Sequence, residues 1–187
     1  MFGSLQGVIR TEVGYAGGTS PEPKYHKIGD HSETVRVWFD PSIISYRRLL
    51  DVFWSNHDPF SRSFSRQYRT VLFYHDETQH NLAKETLRKL ENGNDRKVET
   101  SIEPAGLFYP AEAYHQKYFL QNDRGILEEI RTFYPDFQEL LASTSAARVN
   151  GFLGGYGTEE EVQRVLPLLG LSEAAQDKIL KRVVRFW

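Results

Sequence analysis

Alternation between apolar and polar positions predicts a strand over residues 33–40. Side chains at every second position of a strand share a face, so the apolar Val35, Val37 and Phe39 form one row. Glu33 opens that row. We therefore expect one face of this strand to be buried, and the Glu33 carboxylate to be partly removed from water with it.

Apolar residues at helical spacing, framed by residues that cap helices, predict most of the remaining structure. The predicted helices comprise one capped by Ser45, one capped by Asp76 and closed by Asn92-Gly93, one over 110–122 with Pro110 in its first turn, two over 126–142 broken near Pro135, one opened by Thr158 with Glu161, and one capped by Ser172.

Shorter patterns predict the other strands and the connections. Strands are expected at 8–18, running into a glycine-rich turn, at 70–74 and, more weakly, at 97–105. A loop is expected over 19–31 and a turn-rich link over 149–157. Because strands stop after about residue 124, we divide the chain into an α+β domain over 1–124 and a helical C-terminal extension over 125–187.

Composition excludes several classes of function. The net charge of -2 and the pI near 6.3 give no basic field for nucleic acid. No apolar run approaches the roughly 20 residues of a membrane span, and the first residues lack a signal-peptide pattern. We therefore expect a cytoplasmic protein that binds neither nucleic acid nor membrane. The sequence contains no cysteine, so these residues hold no disulfide and no thiol nucleophile.

Three residues are candidates for chemistry on their surroundings alone. A partly desolvated Glu33 would suit proton donation near neutral pH, although a strand-end glutamate can equally point to solvent. Tyr25 and Tyr68 lie in polar, non-periodic segments, where a phenol can donate a hydrogen bond to a ligand oxygen. Packing against the core is the other interpretation of both tyrosines.

Histidines and acidic residues in the loops do not have a spacing typical of a metal site. The residues concerned are His26, His31, His57, Asp30 and Asp58. None matches a pattern such as H-E-x-x-H. We expect no metal and assign these side chains to hydrogen bonding within loops.

Seven segments, in order, resemble the A-type peptide methionine sulfoxide reductases. They are EVGYAGG, PEPKY, HSETVRV, FDPSIISYRRLLDVFWSNHDP, QYRT, FYHDETQ and FYPAEAYHQKY, within residues 2–122. The resemblance implies an α+β fold, a two-layer sandwich with a ferredoxin-like core. It also implies thiol-dependent reduction of methionine sulfoxide, free or within a protein.

The resemblance assigns roles to the candidate residues. Glu33 matches the glutamate that donates a proton to the sulfoxide oxygen, and Tyr25 and Tyr68 match two tyrosines that hydrogen-bond the same oxygen. The family block containing Glu112, His115 and Tyr118 is expected to frame the substrate pocket. No cofactor is implied: the family uses thioredoxin or small dithiols as the reductant, and we expect a monomer.

Departures from the family pattern shape the functional hypotheses. The family's catalytic cysteine lies in a G-C-F-W-G motif that this sequence lacks. The segment FSRSFSR, between HDP and QYR, is also shorter than usual and has no acid. One hypothesis is that the chain is an N-terminally truncated form of an enzyme and is inactive in this form. A second is a non-catalytic protein of the same fold that binds methionine sulfoxide or a peptide, and a distant third is a metal-dependent hydrolase.

Overall fold

The computed structural model describes residues 1–184 and contains both helices and small sheets, which confirms the α+β class. The strands are β1 (Val8–Ala16), β2 (Ser32–Phe39), β3 (Val71–Tyr74), β4 (Ser101–Pro104) and β5 (Phe108–Pro110). The α-helices are α1 (Tyr46–Ser55), α2 (Glu77–Asn92), α3 (Tyr118–Gln121), α4 (Arg124–Phe133), α5 (Phe137–Ala142), α6 (Thr144–Leu153), α7 (Glu159–Val165) and α8 (Glu173–Val184). Short 3₁₀ segments cover Phe2–Ser4, Ala113–His115 and Leu166–Leu169.

Two sheets carry the strands. The first has the order β2-β1-β5, with β5 antiparallel to β1 and Gly14 opposite Pro110. The second pairs β3 with β4 in parallel, with Val71 opposite Ser101. Within residues 1–184, no helix is long and apolar enough to cross a membrane.

The chain forms two compact units, each built from separated stretches of sequence. Unit 1 comprises residues 1–12, 36–44 and 113–187, and unit 2 comprises residues 13–35 and 45–112. The predicted boundary at residue 124 stays a prediction.

Unit 2 has a core where α1 and α2 pack with β3. Leu50, Trp54, Leu72 and Ala83 are buried there, because the apolar stripes of the two helices face the same strand. The indole Nε1 of Trp54 donates a hydrogen bond of 2.9 Å to the Thr86 hydroxyl, so the one polar atom of that ring is satisfied. Leu72 of β3 belongs to this core, and β3 begins directly after the segment that contains Tyr68.

Unit 1 has a core of its own, formed mainly by helices. Its centre is fully buried and is formed by side chains from α4, α6, α7 and α8, among them Ile130, Phe152, Val162 and Ile179. A Cβ at position 151 would lie 2.6 Å from the backbone nitrogen of Ser4. Only glycine at this position therefore allows α6 to pack so closely against the segment Phe2–Ser4.

The helix N-termini predicted from capping residues are confirmed for α1, α2 and α7. Ser45 accepts a hydrogen bond from the Arg48 amide, and Asp76 accepts one from the Gln79 amide. Thr158 forms the predicted capping box with Glu161. These contacts satisfy amides that have no partner inside the helix.

The predicted helix over 110–122 is wrong over most of its length. Pro110 ends β5 instead, and only Tyr118–Gln121 is α-helical. Lys117 adopts a left-handed backbone conformation with φ of 48°, which cannot continue a helix from the residues before it. The tertiary contacts of this segment override its helical pattern.

The predicted turn-rich link over 149–157 is also wrong in its first half. Residues 149–153 form the last part of α6, whose N-terminus is capped by Ser143. Glycine in a helix interior costs about 1 kcal/mol relative to alanine. Here the close packing of Gly151 and the burial of Phe152 outweigh that cost.

Candidate functional site

The structure brings Tyr25, Glu33 and Tyr68 together in unit 2. The side-chain amide of Gln67 donates one hydrogen bond of 2.9 Å to Glu33 Oε1 and another of 3.2 Å to the Tyr68 hydroxyl oxygen. Tyr68 is also hydrogen-bonded through its side chain to Tyr25. We call these four residues the Glu33–tyrosine cluster.

Backbone contacts place the two halves of this cluster side by side. The Glu33 amide donates to the Gln67 carbonyl at 2.9 Å, and the Ser32 hydroxyl donates to the Arg66 carbonyl at 2.9 Å. The segment before β3 therefore runs along the start of β2. This pairing sets Tyr68 next to Glu33, although 34 residues separate Gln67 from Glu33 in the chain.

The surroundings of the Tyr68 phenol disfavour its ionised form. The side-chain hydrogen bond with Tyr25 raises the pKa of Tyr68, and the nearby Glu33 carboxylate raises it further, because a negative charge disfavours a phenolate. A neutral phenol carries the proton that a hydrogen-bond donor needs. Tyr68 thus presents a protonated hydroxyl group beside the carboxyl group of Glu33.

Glu112 binds the backbone of Tyr25. One of its carboxylate oxygens accepts a hydrogen bond of 2.6 Å from the Tyr15 hydroxyl, and the other accepts one of 3.1 Å from the Tyr25 amide. Because both oxygens are directed at groups of the protein, Glu112 acts on the cluster by positioning Tyr25. The resemblance implied that Glu112 frames the substrate pocket, and that role stays a prediction.

The expected burial of Glu33 is wrong. Glu33 is exposed, and Val35 on the same strand face is 41% exposed. The physical reason is that alternation determines which residues share a face of β2 but not whether another element covers it, and the start of this face is exposed. The carboxyl group of Glu33 is therefore open to an incoming ligand.

Hydrogen bonds to the side chains of His31 and Asp30 stabilise the loop between β1 and β2. His31 is fully buried, and its ring nitrogens lie 3.2 Å from the Gly18 amide and 2.8 Å from the Ser20 carbonyl oxygen. Hydrogen bonds from Ser20, and then from Thr19, lower the pKa of Asp30 far below its usual range. Both side chains thus act within the loop, as expected.

An ion pair supports the other side of the cluster. Arg69 pairs with Glu103 on β4, with a distance of 2.8 Å between Nη2 and Oε2, and its Nε donates to the Ser32 hydroxyl at 2.8 Å. The hydrogen bond from Arg69 lowers the pKa of Glu103, so the pair stays charged at neutral pH. Across the part of the chain that is described, no group of three His, Asp or Glu side chains could hold a metal ion.

Comparison with known proteins now decides the family. The sequence model of a family described as peptide methionine sulfoxide reductase matches residues 1–142. A peptide methionine sulfoxide reductase of Drosophila melanogaster is 40% identical over 178 residues, which cover 92% of this chain and 70% of that protein. The chain belongs to this family.

Two further relatives show how far the similarity extends. Peptide methionine sulfoxide reductase A5 of Oryza sativa subsp. japonica is 44% identical over 81% of this chain, and the match spans 61% of the rice protein. The solved structure of methionine sulfoxide reductase A of Corynebacterium diphtheriae has 27% identity, a TM-score of 0.55, and coverage of 65% of this chain and 67% of that one. The family match in sequence extends past residue 122, where the resemblance in motifs ended.

The other two predicted site residues belong to unit 1. The His115 ring lies 4.2 Å from the Tyr114 ring. Tyr118 is exposed and lines a cavity of about 290 Å³, together with Phe119, Asp123 and others. The structure thus assigns them to a different unit from the Glu33–tyrosine cluster, and their roles toward substrate stay predictions.

Gln67 and Lys117 are residues that sequence reasoning missed within two family segments. Gln67 is the first residue of Q-Y-R-T and the hydrogen-bond bridge of the cluster. Lys117 is buried in unit 1, and its Nζ donates to the Thr11 carbonyl at 2.5 Å. Burial lowers the pKa of Lys117 to about 8.

The buried Lys117 predicts a rise in stability with pH. The folded-state pKa lies below the unfolded value of 10.5, so the unfolded chain binds more protons between pH 8 and 10.5. The free energy of unfolding should gain about 3 kcal/mol across that window from this group. Urea unfolding at pH 8 to 10 should show the gain in the wild type relative to Lys117→Met. Parallel pH profiles for the two proteins would contradict it.

Proposed function

We propose that the Glu33–tyrosine cluster binds the oxygen of methionine sulfoxide and protonates it during reduction to methionine. The observation that carries the proposal is the joining of Glu33 and Tyr68 by Gln67, with Tyr25 bonded to Tyr68. Membership of the family supplies the substrate class.

The chemistry of a sulfoxide fits these groups. Its oxygen is a hydrogen-bond acceptor, and neutral phenols are donors without a competing negative charge. A bound ligand would also cover the exposed Glu33, and removal from water favours the neutral acid, which is the form able to give a proton. Proton transfer to the oxygen makes the sulfur an electrophile for a thiolate.

Reduction also requires a nucleophile that these 187 residues do not contain. In the proposed reaction a thiolate attacks the sulfur, the oxygen ends on that thiol as a sulfenic acid, and methionine is released. Thioredoxin or a small dithiol then reduces the sulfenic acid, and no cofactor takes part. The cytoplasmic location and the monomeric state belong to the same proposal, on the strength of composition and resemblance.

Binding without reduction is a second candidate for the chain as given. It is favoured by the coexistence of an assembled oxygen-binding cluster and a cysteine count of zero. Both candidates need the cluster to bind a sulfoxide, which makes binding the property to test first.

We expect Tyr68→Phe to weaken binding of N-acetyl-methionine sulfoxide by about three- to tenfold, since one hydrogen bond contributes about 0.5–1.5 kcal/mol. Tyr25→Phe should have a similar effect. NMR titration at millimolar ligand measures both. Tyr156→Phe, which alters an exposed tyrosine of unit 1, is the matched control and should leave binding unchanged. Absence of wild-type binding would refute the proposal.

A further inference from the structure

Phe64 is a large apolar side chain held in solvent beside the Glu33–tyrosine cluster. Its side chain is 91% exposed, and its ring centroid lies 6.0 Å from that of Tyr68. It belongs to the segment FSRSFSR, which departs from the family pattern in length and composition. An isolated exposed apolar residue needs no explanation by itself, but Phe64 lies in a turn that is fixed by several hydrogen bonds.

The turn that carries Phe64 is closed by its own serines. The Ser63 hydroxyl donates to the Ser65 carbonyl at 2.9 Å and accepts from the Ser65 amide at 3.3 Å. The Ser65 hydroxyl in turn accepts from the Tyr68 amide at 3.4 Å. The backbone on both sides of Phe64 is thereby linked to the backbone of the tyrosine in the cluster.

Arg66 anchors the same turn to the rest of unit 2. Its guanidinium donates to the Asp30 carbonyl at 2.5 Å and to the Gly17 carbonyl at 3.1 Å. Its own carbonyl accepts from the Ser32 hydroxyl. A surface turn with this many contacts to its surroundings holds its side chains in a defined place, which lowers the entropy cost of binding a ligand there.

The cluster meets the oxygen of a sulfoxide with hydroxyl, amide and carboxyl groups, while methionine sulfoxide also has a methyl group and a chain of two methylenes on its sulfur. Val35 shares a strand face with Glu33 and is also exposed. We propose that Phe64 is the contact for the apolar part of the ligand, covering its carbon chain while Tyr25 and Tyr68 hold its oxygen. This inference rests on the proposed function of the cluster.

Two ligands and four variants test the assignment. N-acetyl-methionine sulfoxide methylamide has the full carbon chain, whereas dimethyl sulfoxide has the oxygen and only two methyl groups. Phe64→Ala should weaken binding of the first by about five- to tenfold, from the loss of apolar contact area. It should change binding of dimethyl sulfoxide by less than about twofold, and Phe64→Leu should keep most of the affinity for the larger ligand.

Controls separate the contact from the oxygen site. Tyr68→Phe should weaken both ligands, because both contain the oxygen. Leu168→Ala removes an apolar side chain that is 80% exposed in unit 1 and should change neither. If Tyr68→Phe weakens both ligands and Phe64→Ala weakens neither, the cluster stands and the role of Phe64 is refuted.

The remaining outcomes also decide the question. Equal weakening of both ligands by Phe64→Ala would mean that the residue acts by orienting Tyr68, which overturns a direct contact with the carbon chain. Failure of the wild type to bind either ligand would overturn the proposed function and this inference together.

Discussion

Replacing Phe152 by alanine is expected to lower the free energy of unfolding of unit 1 by about 3–5 kcal/mol. Phe152 is fully buried at the centre of the helical core. Truncation removes the apolar ring from that core and leaves a cavity that fixed neighbours cannot fill. One of these neighbours is Gly157, where an added Cβ would already lie 3.2 Å from the Phe152 ring.

Urea unfolding, followed by the circular dichroism of the helices, measures this change. Leu168→Ala is the matched control in the same unit, since its side chain is largely exposed and its loss should cost less than about 0.5 kcal/mol. Equal destabilisation by the two substitutions would contradict the position of Phe152 in the core.

Elements whose signals are local were predictable from the sequence. Ser45 and Asp76 cap their helices through hydroxyl or carboxylate oxygens that reach amides three residues away. Thr158 and Glu161 do the same reciprocally. Such contacts need no partner from elsewhere in the chain, so the pattern alone determines them.

Elements that depend on distant partners were not predictable in this way. The pattern from Pro110 to Asn122 is helical, but Glu112 is engaged by Tyr15, 97 residues away in the chain, and Lys117 by Thr11, 106 residues away. Gly151 suggests a turn, yet it lies in a helix because Ser4 packs against it. In each case a tertiary contact outweighs a local preference of about 1 kcal/mol.

The candidate site also has parts that the sequence predicts and parts that depend on contacts between distant residues. Glu33, Tyr25 and Tyr68 were selected as single residues and given roles by resemblance, and the structure brings them together in unit 2. Gln67 could not be found, since only the pairing of its segment with β2 directs its amide to Glu33. The burial expected for Glu33 was wrong because alternation shows which residues share a face, but not whether anything covers that face.

The purified 187-residue chain is expected to produce no methionine from methionine sulfoxide with dithiothreitol as the reductant. We expect its rate to lie on the order of 10⁴-fold or more below that of a family member that has the cysteine. Under the proposed function, the residues in the Glu33–tyrosine cluster bind and protonate the oxygen. They cannot form the sulfur–sulfur contact through which the oxygen is removed, because the sequence contains no thiol.

Glu33→Gln makes this assay decisive, because it keeps the shape of the side chain and removes its acid proton. Turnover by the wild type that is lost in Glu33→Gln would show that the cluster directs an external thiol onto a bound sulfoxide, and would contradict the predicted inactivity. Turnover that survives Glu33→Gln would originate outside the cluster, as from a reductase of the expression host. Binding without turnover in both proteins is the expected result, and it would place the missing step at the nucleophile and not at recognition of the oxygen.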